Sequence, residues 1–377
     1  MKDSGVGPER TLGGLSRREF LKVCTAAAVY MGLPVSMGKM IAEAAAAPRR
    51  TPVLWLSAQE CTGCGETLLR ATHPTLETLI LDLISLDYYE TLNTGAGHQA
   101  EAAREQSMKE NKGQYILVVD GSIPTKDGGI YCKIGGRTVL ELLEEMATDA
   151  LAVIAMGSCA AWGGIPSSGP NPTGAQPAHA IFREKGIATP LVNIPGCPPN
   201  PYNFLSTVLH FLTFKKLPEL DDKMRPKFAY GRIIHENCER RPHFDAGRFA
   251  HEFGDEGHRL GYCLYKLGCK GPETFNNCPA ILFGDVGSGS WPVGTGHPCF
   301  GCSEEGVGFT LPIHSPARPK YITPPTFFSE TIEERGEGLS AGAAALAAGV
   351  GGAVLGAGAV MAKNLGKKSD DESAEEK

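Results

Sequence analysis

Short apolar runs alternate with helical patterns between residues 50 and 220. Five of the runs are apolar along most of their length: 52–57, 79–86, 115–119, 150–155 and 190–194. Continuous apolar runs of this kind are typical of parallel strands that are buried on both faces. Helices are predicted for segments that lie between them: 64–71, 100–110, 138–148 and 178–185. The alternation predicts a doubly wound α/β domain with a parallel sheet.

Residues 221–325 have a different pattern. Glycine, proline, histidine and cysteine are frequent there, and no periodicity is sustained. A segment of this kind needs another source of stability, and bound metal can supply it because ligand binding and folding are coupled. We therefore predict a second, mostly irregular domain. The composition, with 42% hydrophobic residues, is that of a globular protein, and the net charge of −6 gives no indication of a nucleic-acid partner.

The first 47 residues are predicted to be a twin-arginine signal peptide. They contain the sequence SRREFLK at 16–22, a weakly apolar run at 23–35 and an alanine-rich stretch at 42–47. Cleavage is expected between Ala44 and Ala47. Two adjacent arginines alone are usually a chance occurrence, but this context favours export of a protein that is already folded.

A charge-free run of 25 residues, 338–362, consists almost entirely of Ala, Gly, Val and Leu. As a helix rising about 1.5 Å per residue it would cross a hydrocarbon core of roughly 30 Å. Lys363, Lys367 and Lys368 follow the run and favour an inside C-terminus. We predict a linker at 326–337, a transmembrane helix at 338–362 and an acidic cytoplasmic tail at 363–377. The alternative is a flexible low-complexity tail.

Ten of the twelve cysteines, with one histidine, fall into three groups. The first group is Cys61, Cys64, Cys159 and Cys197, which follow three predicted strands. Because the carboxyl ends of parallel strands meet at one edge of a sheet, these thiolates can converge on one 4Fe-4S cluster. The Cys61 and Cys64 pair alone would also fit a redox dithiol or a zinc site.

The second group is His235, Cys238, Cys263 and Cys269. Three thiolates and one imidazole can hold a cluster, and a neutral imidazole in place of a thiolate raises the cluster potential. On spacing alone, His235 could also be a surface histidine near a cysteine.

The third group is Cys278, Cys299 and Cys302, which has no obvious fourth ligand. A 3Fe-4S cluster fits this count, and zinc bound with His297 is the competing interpretation.

Two cysteines remain outside the groups. Cys24 lies in the predicted signal peptide, and Cys132 is interpreted as a buried free thiol. In an oxidising compartment a disulfide framework is the alternative for the whole set. A chain of this length has enough core to fold without such cross-links.

Several motifs in this order closely resemble the small subunits of nickel–iron uptake hydrogenases over residues 15–325. They are the twin-arginine leader, ECTGC (60–64), DGSIP (120–124), GSCAAWGG (157–164), PGCPPNP (195–201), WPV (291–293) and CFGC (299–302). The resemblance implies a flavodoxin-like domain with a proximal 4Fe-4S cluster on the first group, a distal 4Fe-4S cluster on the second and a medial 3Fe-4S cluster on the third. Pro292 stands where a fourth cysteine would complete the medial cluster.

The resemblance also implies that hydrogen is split at a nickel–iron centre in a separate large subunit, so this chain would supply no catalytic residue. Oxygen-tolerant members carry two further cysteines, at the positions of Gly63 and Gly164, and their absence here predicts an oxygen-sensitive enzyme. Some membrane-bound relatives place a haem-ligating histidine in or near the C-terminal helix. Residues 338–362 contain none, so a different integral-membrane partner, which passes electrons to quinone, is expected. This chain itself is expected at the periplasmic face of the cell membrane.

Two other functions are compatible with parts of the sequence. An iron–sulfur subunit of another respiratory complex would share the α/β cluster domain, but it would leave residues 221–325 without a purpose. A secreted disulfide or zinc protein would be colourless and would not need to fold in the cytosol.

Overall fold

The computed structural model describes residues 17–45, 50–72, 74–283 and 290–319, which belong to one compact unit. The predicted linker, transmembrane helix and acidic tail lie outside these residues, as do the first sixteen residues of the predicted signal peptide and the segment 46–49. No helix among the described residues combines the length and the apolar character needed to cross a bilayer.

The central sheet has five parallel strands. They are β1 (Thr51–Ser57), β2 (Ile84–Tyr89), β3 (Ile116–Asp120), β4 (Ala152–Met156) and β5 (Leu191–Ile194). Their spatial order is β2-β1-β3-β4-β5, which is the flavodoxin-like order. The predicted parallel α/β sheet is therefore confirmed. Two small antiparallel pairs lie outside it, Ile123–Pro124 with Ala175–Gln176 and Lys133–Ile134 with Arg137–Thr138.

The second predicted strand is wrong in its first half. Leu79–Leu83 form a π-helical turn, and the strand begins only at Ile84. Leu79 and Leu83 are both buried and are four residues apart, which is helical spacing. A short apolar run cannot separate this arrangement from a strand by periodicity alone.

Seven helices of six or more residues occur in the described residues. They are α1 (Arg17–Tyr30), α2 (Gly38–Ala45), α3 (His98–Glu110), α4 (Val139–Thr148), α5 (Gly157–Trp162), α6 (Ala178–Lys185) and α7 (Pro201–Phe214). The predicted helix 64–71 is instead a short helix, Gly63–Glu66, followed by a 3-10 turn, Thr67–Arg70. The predicted helices do not include α7. Asn200 caps it, accepting from the amide of Tyr202 at 3.0 Å, with Pro201 at the first helical position.

Alternate side chains of the strands enter two separate apolar cores, one on each face of the sheet. Val53 and Trp55 of β1 belong to the core that contains α7, whereas Leu54 and Leu56 belong to the core that contains α4 and α6. Strand residues alternate between the faces of a sheet, so helices cover both faces. The carboxyl ends of all five parallel strands lie at one edge of the sheet, where the segments that follow the strands begin.

The helices α1 and α2 pack against the rest of the described chain, although the sequence pattern favours excluding residues 1–47 from the fold. Phe20, Cys24 and Ala28 are buried at intervals of four residues, so they share one face of α1. They belong to the same apolar core as α7. At the end of α1, the Tyr30 hydroxyl accepts a hydrogen bond from the Asn277 side-chain amide at 2.7 Å. This contact joins the leader helices to the second half of the chain.

Regular structure is sparse between residues 221 and 319. The described elements are Lys227–Tyr230, Ile234–Asn237, Arg241–Asp245, Glu256–Arg259 and the 3-10 turns Leu264–Leu267 and Gly271–Glu273. A third apolar core lies here, and four cysteines belong to it: Cys238, Cys269, Cys278 and Cys299. The centre of this segment is therefore built from candidate metal ligands as much as from aliphatic side chains.

Candidate metal centres

The first group of cysteines gathers at the carboxyl edge of the sheet. Cys61 lies beyond β1, Cys159 follows β4 in the first turn of α5, and Cys197 follows β5. Burial, with smaller contributions from the neighbouring Cys197 and Cys61, raises the pKa of Cys159 to about 12. Burial also raises the pKa of Cys64, with contributions from Cys159 and Cys197. The structure therefore brings all four thiols of this group together, with Cys61 exposed and Cys64 buried.

Two glycines let the backbone approach these sulfurs closely. A Cβ atom on Gly157, whose φ is +85°, would lie 2.3 Å from the Cys64 Sγ. A Cβ atom on Gly164, whose φ is +52°, would lie 2.6 Å from the Cys159 Sγ. Both positions have positive φ, which glycine adopts at no steric cost. The backbone is thus shaped tightly around the thiols of the first group.

A buried carboxyl group, which is not among the ligands predicted from the sequence, lies beside this site. Asp120 ends β3, is 1% exposed and lies beside Cys64. Burial raises the pKa of Asp120 to about 7, and the charge of Glu60 adds to the shift. The signal in the sequence is the position of Asp120 at the end of a fully apolar strand, where functional residues of α/β sheets collect.

The four residues of the second group, His235, Cys238, Cys263 and Cys269, line one small pocket. Burial and the charge of Arg241 lower the pKa of His235 to about 3, so its imidazole is neutral at physiological pH. The Nε2 atom of His235 is buried and has no hydrogen-bond partner among the described residues. Since buried polar atoms are almost always paired, an unpaired neutral imidazole nitrogen at a cavity of thiols fits a metal ligand.

The third group also lies in the second half of the chain, where two of its three cysteines are buried and Cys302 is half-buried. Cys278 and Cys299 are 4% and 8% exposed. Burial raises the pKa of Cys299 well above its usual value, and Cys269, Cys302 and Cys278 raise it further. Cys299 therefore lies near both other members of its own group and near one member of the second group.

His297 was the candidate zinc ligand for this third group. Its Nδ1 atom lies 2.8 Å from the carbonyl of Pro298, and its ring contacts Phe253 and His314. Across the described residues, no three His, Cys, Asp or Glu side chains are grouped as the ligands of a single metal ion. All twelve cysteines are free thiols.

The residues present fit iron–sulfur clusters by their chemistry. Thiolates are the usual ligands of these clusters, and histidine can replace cysteine at some irons. Because burial raises the pKa of most of these thiols, they carry protons at neutral pH in the absence of metal. Cluster binding therefore releases protons and couples metal affinity to pH.

A buried ion-pair network holds the segment after Cys302 against the chain that follows α7. Arg225 is 3% exposed, and its Nη1 atom lies 2.9 Å from the Glu304 Oε2. Its Nε atom lies 2.8 Å from the Asp221 Oδ2, and the Lys223 Nζ lies 2.6 Å from the Glu304 Oε1. Burial would raise the pKa of Glu304, but the charges of Arg225 and Lys223 lower it overall.

Comparison with known proteins identifies relatives over nearly the whole chain. Residues 61–211 match the family described as NADH ubiquinone oxidoreductase, 20 Kd subunit, and residues 230–313 match the family described as the C-terminal part of the NiFe/NiFeSe hydrogenase small subunit. The chain is 52% identical over 362 residues to the hydrogenase-2 small chain of Escherichia coli K12, covering 96% of each. It is 45% identical over 358 residues to the uptake hydrogenase small subunit of Azotobacter vinelandii, covering 95% of this chain and 96% of that one.

A solved structure agrees with these relatives. The reduced, active Ni-Fe-Se hydrogenase from Desulfomicrobium baculatum superimposes with a TM-score of 0.63 and 36% identity, over 68% of this chain and 95% of that chain. The family resemblance predicted from the motifs is confirmed. This chain therefore belongs to the small subunits of nickel–iron hydrogenases, which are the electron-transfer subunits of an enzyme whose active site is in the large subunit.

Proposed function

We propose that this chain relays electrons through three iron–sulfur clusters, from hydrogen oxidation at the nickel–iron site of the large subunit toward a quinone-reducing partner in the membrane. The proximal 4Fe-4S cluster is assigned to Cys61, Cys64, Cys159 and Cys197. The medial 3Fe-4S cluster is assigned to Cys278, Cys299 and Cys302, and the distal 4Fe-4S cluster to His235, Cys238, Cys263 and Cys269.

One observation carries the order of the three sites. Within the third group, Cys302 lies beside Cys197 of the first group, and Cys299 lies beside Cys269 of the second group. The third group is therefore in contact with both others. This arrangement supports a medial cluster between a proximal and a distal one, with electrons passing along the series.

The donor sets support the cluster types. Four thiols at the sheet edge suit a 4Fe-4S cluster, and the three thiols of the third group suit a 3Fe-4S cluster. The neutral imidazole of His235 makes the distal site less negative than an all-thiolate site, which favours a higher potential there. A higher potential at the end of the series draws electrons away from the large subunit.

The proposed location follows from the two ends of the sequence. The twin-arginine motif at residues 16–22 supports export of the folded, cluster-loaded chain to the periplasm. The apolar run 338–362 supports a single-pass anchor with the C-terminus inside. Together they place the electron relay at the periplasmic face of the cell membrane, beside a membrane-embedded acceptor.

Iron and sulfide analysis with EPR spectroscopy tests the cluster assignment. In the anaerobically purified heterodimer we expect about eleven cluster irons in addition to the iron of the nickel–iron site, with a 3Fe-4S signal in the oxidised state. Cys299→Ser should remove the 3Fe-4S signal. Cys132→Ser is the matched control, because Cys132 belongs to none of the three groups, and it should keep the full iron content. A single cluster, or zinc in place of iron, would refute the assignment.

A further inference from the structure

Ser158 lies between the proximal and the medial candidate sites. It precedes Cys159 in α5 and is 1% exposed. Its hydroxyl donates a hydrogen bond to the carbonyl of Cys302, with 2.6 Å between the oxygens, across 144 residues of sequence. The same hydroxyl accepts a hydrogen bond from the amide of Gly196 at 3.0 Å. Because Gly196 precedes Cys197, one hydroxyl joins loops that carry ligands of two different clusters.

The two loops also meet at a ligand sulfur. The backbone amide of Cys197 lies beside the thiol of Cys302. One turn along α5, the Trp162 Nε1 donates to the carbonyl of Ser303 at 3.2 Å. Ser158 and Trp162 are four residues apart and share one face of the helix. This face of α5 thus holds two successive carbonyls of the Cys302 loop.

The junction between the medial and the distal sites is closed by the backbone instead. The amide of Cys299 donates to the Cys269 Sγ at 3.3 Å, and the amide of Lys270 donates to the carbonyl of Cys299 at 2.6 Å. Both junctions therefore place a peptide amide of one ligand against the sulfur of a ligand of the next site. Only the proximal–medial junction depends on a side-chain hydroxyl, which a point mutation can remove.

We propose that Ser158 is a positioning residue for electron transfer between the proximal and the medial clusters. Its hydroxyl fixes the Cys302 loop against the Cys197 loop, which sets the gap that the electron crosses and keeps the Cys197 amide directed at the Cys302 sulfur. The inference rests on the cluster assignment proposed above. One electron, supplied by hydrogen oxidation in the large subunit, passes from the reduced proximal cluster to the oxidised medial cluster, and no bond forms or breaks.

Hydrogen bonds to ligand sulfurs also tune cluster potentials. If Ser158 keeps the Cys197 amide in place, its removal changes the medial cluster in two measurable ways. The medial cluster accepts electrons more slowly, and its potential shifts downward because the sulfur loses a donor that stabilises negative charge. A hydroxyl that only stabilises the fold would change neither quantity in the folded enzyme.

The test compares Ser158→Ala with Ser303→Ala in the intact heterodimer. Ser303 is a matched control, because its hydroxyl is also fully buried beside Cys302 and also donates to a backbone carbonyl, that of Phe275 at 2.9 Å. That bond does not connect the two cluster loops. Oxidised enzyme is mixed with hydrogen and frozen at increasing times, and EPR follows the reduction of the proximal and medial clusters separately. Isotope exchange between hydrogen gas and deuterated water is measured as well. It reports the chemistry at the nickel–iron site of the large subunit, which does not use the clusters.

In Ser158→Ala we expect unchanged iron content, unchanged isotope exchange and an unchanged rate of proximal reduction. Medial reduction should slow on the order of tenfold, as for other small losses of positioning, and the medial potential should fall. In Ser303→Ala both quantities should match the unmodified enzyme. Medial reduction at the unmodified rate in Ser158→Ala, or equal slowing in both variants, would overturn the proposal.

Two further outcomes are decided by the same experiment. If Ser158→Ala does not assemble the medial cluster, Ser158→Thr, which retains the hydroxyl, is measured instead. Electron transfer to the medial cluster at the unmodified rate then supports the proposal, and slow electron transfer overturns it. If the unmodified heterodimer lacks a 3Fe-4S signal, the cluster assignment itself has failed. The experiment therefore distinguishes a wrong cluster assignment from a wrong role for Ser158.

Discussion

Replacing Arg225 with methionine is expected to weaken the iron–sulfur segment far more than the same replacement at Lys227. Arg225 is 3% exposed and joins Asp221 and Glu304 at 2.8 Å and 2.9 Å. Lys227 forms a shorter ion pair with Glu219, at 2.6 Å, but these side chains are 48% and 77% exposed. The two pairs therefore separate the effect of burial from the effect of distance.

The magnitude of the expected destabilisation follows from the buried charges that lose their partner when Arg225 is replaced. Removing one partner of a buried ion pair costs about 3–5 kcal/mol, whereas an exposed pair contributes about 0–1 kcal/mol. Glu304 would keep Lys223, whose Nζ lies 2.6 Å from its Oε1, so the lower end of the range, about 3 kcal/mol, applies. If the network is already broken in the transition state for unfolding, this loss accelerates unfolding on the order of 100-fold.

The assay is the rate at which the anaerobic heterodimer loses the visible absorbance of its clusters in urea. A rate is appropriate because proteins with bound cofactors often unfold irreversibly. We expect Arg225→Met to lose its clusters on the order of 100-fold faster than the unmodified enzyme, and Lys227→Met to stay within about fivefold of it. Glu304→Gln should fall between them, because Arg225 keeps Asp221, and this variant serves if Arg225→Met does not accumulate. Equal rates for the two methionine variants would refute the reasoning.

Three further predictions concern the cluster sites and the leader. His235→Cys should lower the potential of the distal cluster, because a thiolate adds negative charge; an unchanged potential in an EPR-monitored redox titration would argue against ligation by His235. Gly157→Ala should lose the proximal cluster, since its Cβ would lie 2.3 Å from the Cys64 Sγ, whereas Gly186→Ala, also at positive φ but in open space, should keep full iron content. In the unprocessed chain, Cys24 should react slowly with an alkylating reagent, because it is 2% exposed and burial raises its pKa to about 12; rapid native labelling would contradict the packing of α1.

The parallel sheet and the residues of the three ligand groups could be predicted from the sequence. Buried parallel strands are apolar throughout, and this pattern is local, so four of the five strands lie close to their predicted positions. The convergence of Cys61, Cys64, Cys159 and Cys197 followed from a general rule, that loops after parallel strands meet at one edge. The choice of candidate ligands was equally accessible, because few residue types bind iron–sulfur clusters.

The burial of the leader could not be predicted in the same way. The apolar run 23–35 suits either a signal peptide or a core helix, since both need one apolar stretch. Only the folded structure shows that Phe20, Cys24 and Ala28 meet the core around α7 and that Tyr30 contacts Asn277. The partner of an amphipathic face is a property of tertiary packing, because periodicity describes a face and not what covers it.

The sequence by itself determined which residues are candidate cluster ligands, and the tertiary structure decided which candidate ligand groups are neighbours. The spacing of the cysteines along the chain does not predict that Cys302 contacts Cys197 or that Cys299 contacts Cys269. The path of the intervening chain sets the distance between these residues in space. The bond between Ser158 and the carbonyl of Cys302 spans 144 residues and leaves no local pattern. Short-range propensity thus determines the elements and the types of candidate ligand, whereas contacts between distant loops, which depend on packing, determine which candidate ligand groups adjoin one another.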